Sequence, residues 1–297
     1  PAIGGLGKSH LVKEIDAMGG IMPLATDMSG IQFRTLNTRK GPAVRALRAQ
    51  CDREIYKKSI QKILKQTSIE ILEGEVIDLM VEKGAVIGVE VENVGTVHAE
   101  KTILTTGTFL NGIMYSGKTK KYGGRVGEKP SIPLSERMYG MGLMMGRLKT
   151  GTPPRIKMSS LNLNVMDEQP GDLPTPFMSS LQKQHPHPKQ LSCFITRTTQ
   201  KTKKIIEKDL HLSAMYSGQI QGIGPRYCPS IEDKVEKFKN KETHQVFIEP
   251  EGINIDLVYP NGISSSLPVE TQDRFVRTIT GLEDSIITEY GYAVEYD

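Results

Sequence analysis

The period of the apolar positions changes several times along the chain. From residue 41, GPAVRALRAQCDREIYKKSIQKILK sets Val44, Leu47, Cys51 and Ile55 at three-and-four spacing, and Pro42 suits a first helical turn, so the pattern predicts one amphipathic helix. Cys51 falls on its apolar face and reads as a buried structural thiol. Short β-like runs follow at 69–72, 75–82, 86–92 and 96–99. Lys83-Gly84 and Asn93-Val94-Gly95 separate them, which predicts an antiparallel meander. Thr102-Ile103-Leu104-Thr105-Thr106 then predicts a buried strand closed by Gly107. A glycine at that position lets a ligand approach the backbone, and open α/β sheets bind ligands at that edge.

The pattern loosens after residue 155. Residues 156–221 hold Pro170, Pro174, Pro176, Pro186 and Pro188, then a strand candidate at 193–198 and a Lys-rich helix candidate at 201–210, which predicts an inserted α/β subdomain. From residue 222 the α/β pattern resumes, with a strand candidate at 245–248 and a loop, Glu249-Pro250-Glu251-Gly252. The expected division is 1–155, 156–221 and 222–297. The sequence starts inside a glycine-rich loop, Gly4-Gly5-Leu6-Gly7-Lys8, and stops at YGYAVEYD, so it reads as an excerpt of a longer protein.

Composition changes this picture little. At 297 residues, 37% hydrophobic and 24% charged, the chain is ordinary for a soluble protein of roughly two domains. No run nears the ~18 apolar residues of a membrane helix, and PAIGGLGKSH lacks a signal-peptide layout, so the expected location is cytoplasmic. Cys51, Cys193 and Cys228 form no CxxC pair, and His10, His98, His185, His187, His211 and His244 form no cluster, so no metal is expected. The net charge of +4 is uninformative, but residues 34–65 carry ten Lys/Arg against Asp52 and Glu54. Such a stripe meets the phosphates of a cofactor or an RNA, or is a solvated helix face.

The segment GIGPRYCPSIEDKVEKF carries the clearest local chemistry. Ser230 is placed to cap a helix starting at Ile231, and a helix N-terminus attracts phosphate or thiolate. Cys228 stands just before that end, two residues from Arg226, and both neighbours would lower a thiol pKa from its usual ~8.5. The dinucleotide fingerprint GxGxxG is absent.

Longer strings say more. PAIGGLGKSHLVKEIDAMGG, GIQFR, KGPAVRALRAQCDR, GTFLNG, PSIPLS, GRLKTGTPPRI, GPRYCPSIEDKV, EPEG and YPNGISSSLP resemble the GidA family, also called MnmG, in order and over essentially all 297 residues. The resemblance implies an α/β fold: a Rossmann-like, FAD-binding domain of glutathione-reductase type with a β-meander and an inserted α/β subdomain. It implies FAD contacts at Val76 and Ser131, with Gly4, Gly5, Gly7 and Lys8 lining the flavin side, beside the strand end at Gly107. It places the nicotinamide nucleotide on Gly224-Pro225-Arg226-Tyr227-Cys228-Pro229-Ser230-Ile231-Glu232-Asp233-Lys234-Val235-Glu236-Lys237-Phe238, with Cys228 catalytic as nucleophile or as acid/base.

The chemistry it implies is transfer of a one-carbon unit from methylenetetrahydrofolate through reduced FAD to C5 of the wobble uridine of tRNA, building a (carboxymethyl)aminomethyl group. NADH would reduce the flavin, the GTPase MnmE would be a partner, and the protein would be a homodimer. The family's glycine-rich fingerprint and a second thiol would lie upstream of Pro1, so these residues alone are expected to hold FAD weakly or not at all and to be inactive. Two rivals stand beside this reading. One is the smaller folate- and FAD-dependent tRNA uridine methyltransferase family, which shares the FAD architecture; the other is a catalytically silent RNA- or partner-binding remnant.

Overall fold

The computed structural model describes residues 2–181, 186–224 and 229–297. An antiparallel sheet joins β1 (Ala2–Gly4), β2 (Gly30–Leu36) and β3 (Ala46–Cys51) in the order β1-β3-β2. Helices α1 (Ser9–Ala17) and α2 (Met22–Ser29) connect β1 to β2, and α3 (Arg53–Leu64) follows β3. The helix predicted from residue 41 is corrected here. Pro42–Val44 is one 3-10 turn, β3 occupies the next stretch, and the helix begins at Arg53. Backbone partners on both edges of β3 decide the conformation, because Ala46, Ala49, Gln50 and Cys51 are buried between β1 and β2. Asp52 makes the change of conformation possible: its Oδ1 accepts the Ile55 N–H at 2.9 Å as the N-cap of α3, and its Oδ2 accepts the Ile253 N–H at 2.8 Å. Cys51 is buried with Val12, Phe33, Ala49 and Met178, as a structural thiol should be.

The meander is present as β4 (Val76–Glu82), β5 (Ala85–Val91) and β6 (Gly95–His98), antiparallel in sequence order. Its turns place Lys83 and Asn93 at positive φ, next to the glycines that mark them in the sequence. Neither 69–72 nor 102–106 forms a strand, and Ile103 is 85% exposed where the sequence predicts a buried strand. β-structure requires a neighbouring ladder, and no described segment pairs with these residues.

Next come β7 (Ile113–Ser116), β8 (Thr119–Tyr122), helix α4 (Pro133–Gly140) and β9 (Leu148–Thr152). A six-stranded antiparallel sheet follows, built from β10 (Arg155–Ile156), β11 (Asp167–Gln169), β12 (Cys193–Arg197), β13 (Gln245–Pro250), β14 (Val258–Asn261) and β15 (Ile287–Glu289), in the order β11-β12-β13-β14-β10-β15. Stretches 156–221 and 222–297 both contribute strands to it. Helices α5 (Gln200–Asp209), α6 (Ile231–Lys237) and α7 (Val269–Val276) enclose its core, in which Ile206, Ile231, Ile248 and Phe275 are fully buried. The last strand, β16 (Tyr292–Tyr296), returns between β7 and β9 to give the order β8-β7-β16-β9. No helix of the described residues is long and apolar enough to cross a membrane.

Candidate functional site

An open cavity of about 470 Å³ lies between the meander and α4, lined by Glu75, Val76, Thr106, Phe109, Glu128, Lys129, Pro130, Ser131 and Leu134. Its walls come from three separate stretches of chain. The Ser131 N–H donates to Phe109 O at 2.8 Å and the Asn111 N–H to Ser131 O at 3.0 Å, a short parallel pairing of 109–111 with 131. Pro133 opens α4 just beyond, where its missing N–H costs nothing. Leu134 packs with Leu79 and Leu110 in a buried cluster, and Arg137 ties α4 to β4 through Asp78 at 2.7 Å and Leu79 O at 3.1 Å. The pocket is apolar in its body and carries Thr106, Ser131, Lys129 and two carboxylates, Glu75 and Glu128, on its walls. Lys129 makes no ion pair among the described residues. An apolar cleft with a few polar groups suits a largely aromatic ligand bearing a charged arm.

Two of the expected cofactor positions, Val76 and Ser131, thus meet in one cavity, and Gly107, at positive φ (58°), follows its Thr106 wall. The Gly4 to Lys8 loop does not line it. Gly4 (φ 83°) packs where a Cβ would lie 2.4 Å from Leu47 O, and the Gly5 N–H donates to Leu47 O and to Ser9 Oγ. Gly7 and Lys8 are exposed beside them.

The second expected region is only partly described. Pro225, Arg226, Tyr227 and Cys228, and with them the thiol chemistry, lie outside the described residues. Gly224 follows Ile223, which pairs with β9 through Lys149 N–H to Ile223 O at 2.9 Å. After Pro229, Ser230 caps α6 as the sequence predicts. The Asp233 N–H donates to Ser230 Oγ at 3.1 Å and the Ser230 N–H to Asp233 Oδ2 at 3.2 Å, a reciprocal capping box. Ile231 and Val235 point into the main core, whereas Lys237 and Phe238 are exposed and Lys234 and Glu236 half-buried.

Glu232 is fully buried. Its Oε1 accepts from Ser266 N–H at 2.8 Å and from the hydroxyls of Ser265, Ser213 and Ser266 at 3.1–3.3 Å, and burial pushes its carboxyl above the ordinary range. Asp233 behaves oppositely. Burial works against its charge, but Lys149 first, then the Ser230 N–H and Lys237, outweigh it and hold the carboxyl below its usual range.

Among the described residues no group of His, Cys, Asp or Glu is arranged to hold a metal. His187 is stacked between Phe33 and Phe177 at 4.6 and 4.3 Å, and His244 is buried; His185 lies outside the described residues.

The sequence reading missed the arginine–carboxylate pairs that join separate stretches of the chain. Arg48 meets Glu249 at 2.8 Å, while Arg53 and Arg155 share Glu251 at 3.0 and 2.7 Å. Arg147 bridges Asp297 at 2.7 Å and Glu295 at 3.4 Å. The available signal was two pairs of acids spaced two apart, Glu249 with Glu251 and Glu295 with Asp297, each running off the end of a strand, β13 or β16.

Comparison with known proteins agrees with the resemblance. The family model described as glucose inhibited division protein A matches residues 1–297. Aquifex aeolicus GidA in its form I crystal superposes with a TM-score of 0.92 at 44% identity, covering 100% of this chain and 50% of that one. The form II crystal gives 0.91 at 42%, covering 100% and 48%. The chain thus spans about half the length of these solved structures. With a family match along its whole length and this agreement in fold, the chain belongs to the GidA family.

Proposed function

We propose that this chain supplies the flavin-side portion of an FAD-dependent tRNA-modifying enzyme acting on C5 of the wobble uridine. The observation that carries the reading is the meeting of Val76 and Ser131, 55 positions apart, in one apolar cavity with Lys129 on its wall. The residues fit a flavin nucleotide. Val76, Phe109 and Leu134 offer surface to an aromatic ring system, and Lys129 a cation for a phosphate. FAD bound there would supply hydride and one-carbon transfer, with NADH as reductant and methylenetetrahydrofolate as one-carbon donor.

The chain's own residues would hold the cofactor, exclude water and present the base. A pyrimidine accepts a new bond at C5 once its ring is activated, and the Cys228 thiol can add to C6 or move a proton. An anticodon loop lets the base leave its stack at low cost. We assign the capped start of α6 to the nicotinamide nucleotide, and include the GTPase MnmE as partner, a homodimeric assembly and a cytoplasmic location in the proposal.

The test is twofold. The full-length protein mixed with FAD should show the visible absorbance of bound flavin, which residues 1–297 alone should show weakly or not at all, and tRNA from cells lacking the gene should lose a wobble-uridine modification by mass spectrometry. An intact modification would leave the silent RNA-binding reading standing instead.

A further inference from the structure

Residues 117–129, GKTKKYGGRVGEK, carry Lys118, Lys120, Lys121, Arg125 and Lys129 against a single acid, Glu128. Their first part is the β7–β8 hairpin, and β8 is the outer strand of its sheet with all four residues exposed. The hairpin is fastened at both ends. At the tip, the Gly117 N–H donates to Ser266 O at 2.7 Å, Gln219 Nε2 donates to Gly117 O at 3.2 Å, and a Cβ on Gly117 would lie 2.6 Å from Pro268 Cγ. At the other end, the Gly123 N–H donates to Gly112 O at 2.8 Å, and Gly124 lies against Phe109, a wall of the cavity. Glu128 and Lys129 then line that cavity themselves. The basic strand is therefore a ledge held at both ends, one of them against the cavity wall.

Among the described residues no carboxylate pairs with Lys118, Lys120 or Lys121, while Arg125 meets Glu128 at 3.7 Å. Lys120 Nζ lies 5.6 Å from the Tyr122 ring and 5.9 Å from that of Tyr115, so a cation and a 57%-exposed aromatic stand side by side. Adjacent like charges repel unless an anion arrives. Lysines interleaved with an exposed ring match a single strand, which offers phosphates and base faces in alternation.

We infer that this ledge binds the single-stranded RNA flanking the nucleotide presented to the cavity: Lys118, Lys120 and Lys121 neutralise phosphates, and Tyr122 stacks on a base. The inference rests on the tRNA reading above. The plainer role for these lysines is to keep an edge strand from pairing with another molecule. The two roles differ in what neutralisation does.

The experiment compares tRNA binding by the protein, across a salt series, for the wild type, the triple variant Lys118→Gln/Lys120→Gln/Lys121→Gln, Tyr122→Ala and Tyr122→Phe. Each phosphate contact to a single strand contributes about 0.7 to the log–log salt slope, so the triple variant should bind roughly tenfold or more weakly at low salt with a slope shallower by about 2. Loss of a stacking ring should weaken binding by on the order of tenfold in Tyr122→Ala, and Tyr122→Phe should restore it. In the wild type, bound tRNA should also shield these lysines from an acylating reagent. An unchanged affinity and slope in the triple variant, above all with new self-association on light scattering, would overturn the ledge and leave edge protection. Failure of the wild type to bind tRNA would instead remove the reading on which the ledge rests.

Discussion

Lys149 Nζ lies 3.5 Å from Asp233 Oδ2, with the two side chains only 8% and 11% exposed, and the pair joins β9 to the capped start of α6. Removing one partner of a buried pair strands the other's charge, at a cost of about 3–5 kcal/mol; Lys237 and the Tyr216 hydroxyl still face Asp233, so Lys149→Met should sit near the low end. The sign with pH follows from the depressed Asp233 pKa. A carboxylate held below its unfolded value of ~3.9 stabilises the fold above that pH, and the contribution disappears as pH falls through the folded value. Urea denaturation should show a large wild-type advantage at neutral pH that shrinks below about pH 4. A gap of constant size across that range would mean that Lys149 acts through packing alone.

The cavity wall can be tested at Gly124. A Cβ there would lie 2.6 Å from Phe109 Cδ1 and 2.8 Å from Phe109 Cα, closer than real side chains come, so Gly124→Ala must displace Phe109. Overpacking of this kind costs about 1–3 kcal/mol, and here it also reshapes the proposed flavin pocket. Gly127→Ala is the control, since its Cβ meets open space and only its positive φ is strained. In the full-length protein, flavin affinity should fall for Gly124→Ala and hold for Gly127→Ala. Equal affinities would place the flavin elsewhere.

The three cysteines should separate by reactivity. Burial pushes the Cys51 thiol to about 11 and that of Cys193 to about 12, and Cys193 Sγ lies 3.2 Å from Gln32 Oε1. Neither thiolate is populated at pH 8, so a thiol reagent should label Cys228 alone in the native protein and all three after unfolding. Cys51→Ser buries a hydroxyl in an apolar cluster and should cost about 1–3 kcal/mol. In the full-length enzyme, Cys228→Ser should keep its melting temperature, its FAD and its tRNA binding and lose modified uridine. A Cys228→Ser protein that still modifies tRNA at the wild-type rate would move the proposed role to another group.

The elements legible in the sequence are those decided locally. Lys83-Gly84 and the positive-φ Asn93 set the meander's turns within a few residues, and Ser230 with Asp233 announces its own helix. The misread elements are those decided by distant partners. Val44, Leu47 and Cys51 satisfy a helical spacing, but Leu36 and Gly4 stand across the ladder from Ala46 and Arg48, and those pairings make a strand of 46–51. Residues 102–106 have strand composition and no described partner, so the composition is not realised. The candidate site shows the same division. Motif resemblance names Val76 and Ser131, while their meeting in one cavity depends on the Leu110–Ser131 bridge, which no short window contains.

Ion pairing separates two sets of residues within the basic stripe at 34–65. Arg48 and Arg53 are spent on Glu249 and Glu251, whose side chains are 4% and 1% exposed, so these arginines brace the join between β3 or α3 and β13. Lys57, Lys58, Lys62 and Lys65, on or just beyond α3, make no ion pair among the described residues. Neutralising Arg48 leaves a nearly buried carboxylate without its cation and should cost up to about 3 kcal/mol. Neutralising the four lysines should leave stability within about 0.5 kcal/mol of the wild type, since exposed charges contribute little to folding. Their effect should emerge in tRNA affinity, with the log–log salt slope falling by about 0.7 for each phosphate that is no longer neutralised. Thermal melts and salt-series binding on Arg48→Gln and on the four-lysine variant separate the two sets. A four-lysine variant with an unchanged salt slope would make that face of α3 an ordinary solvated one, leaving the hairpin lysines 118, 120 and 121 to account for phosphate binding on their own.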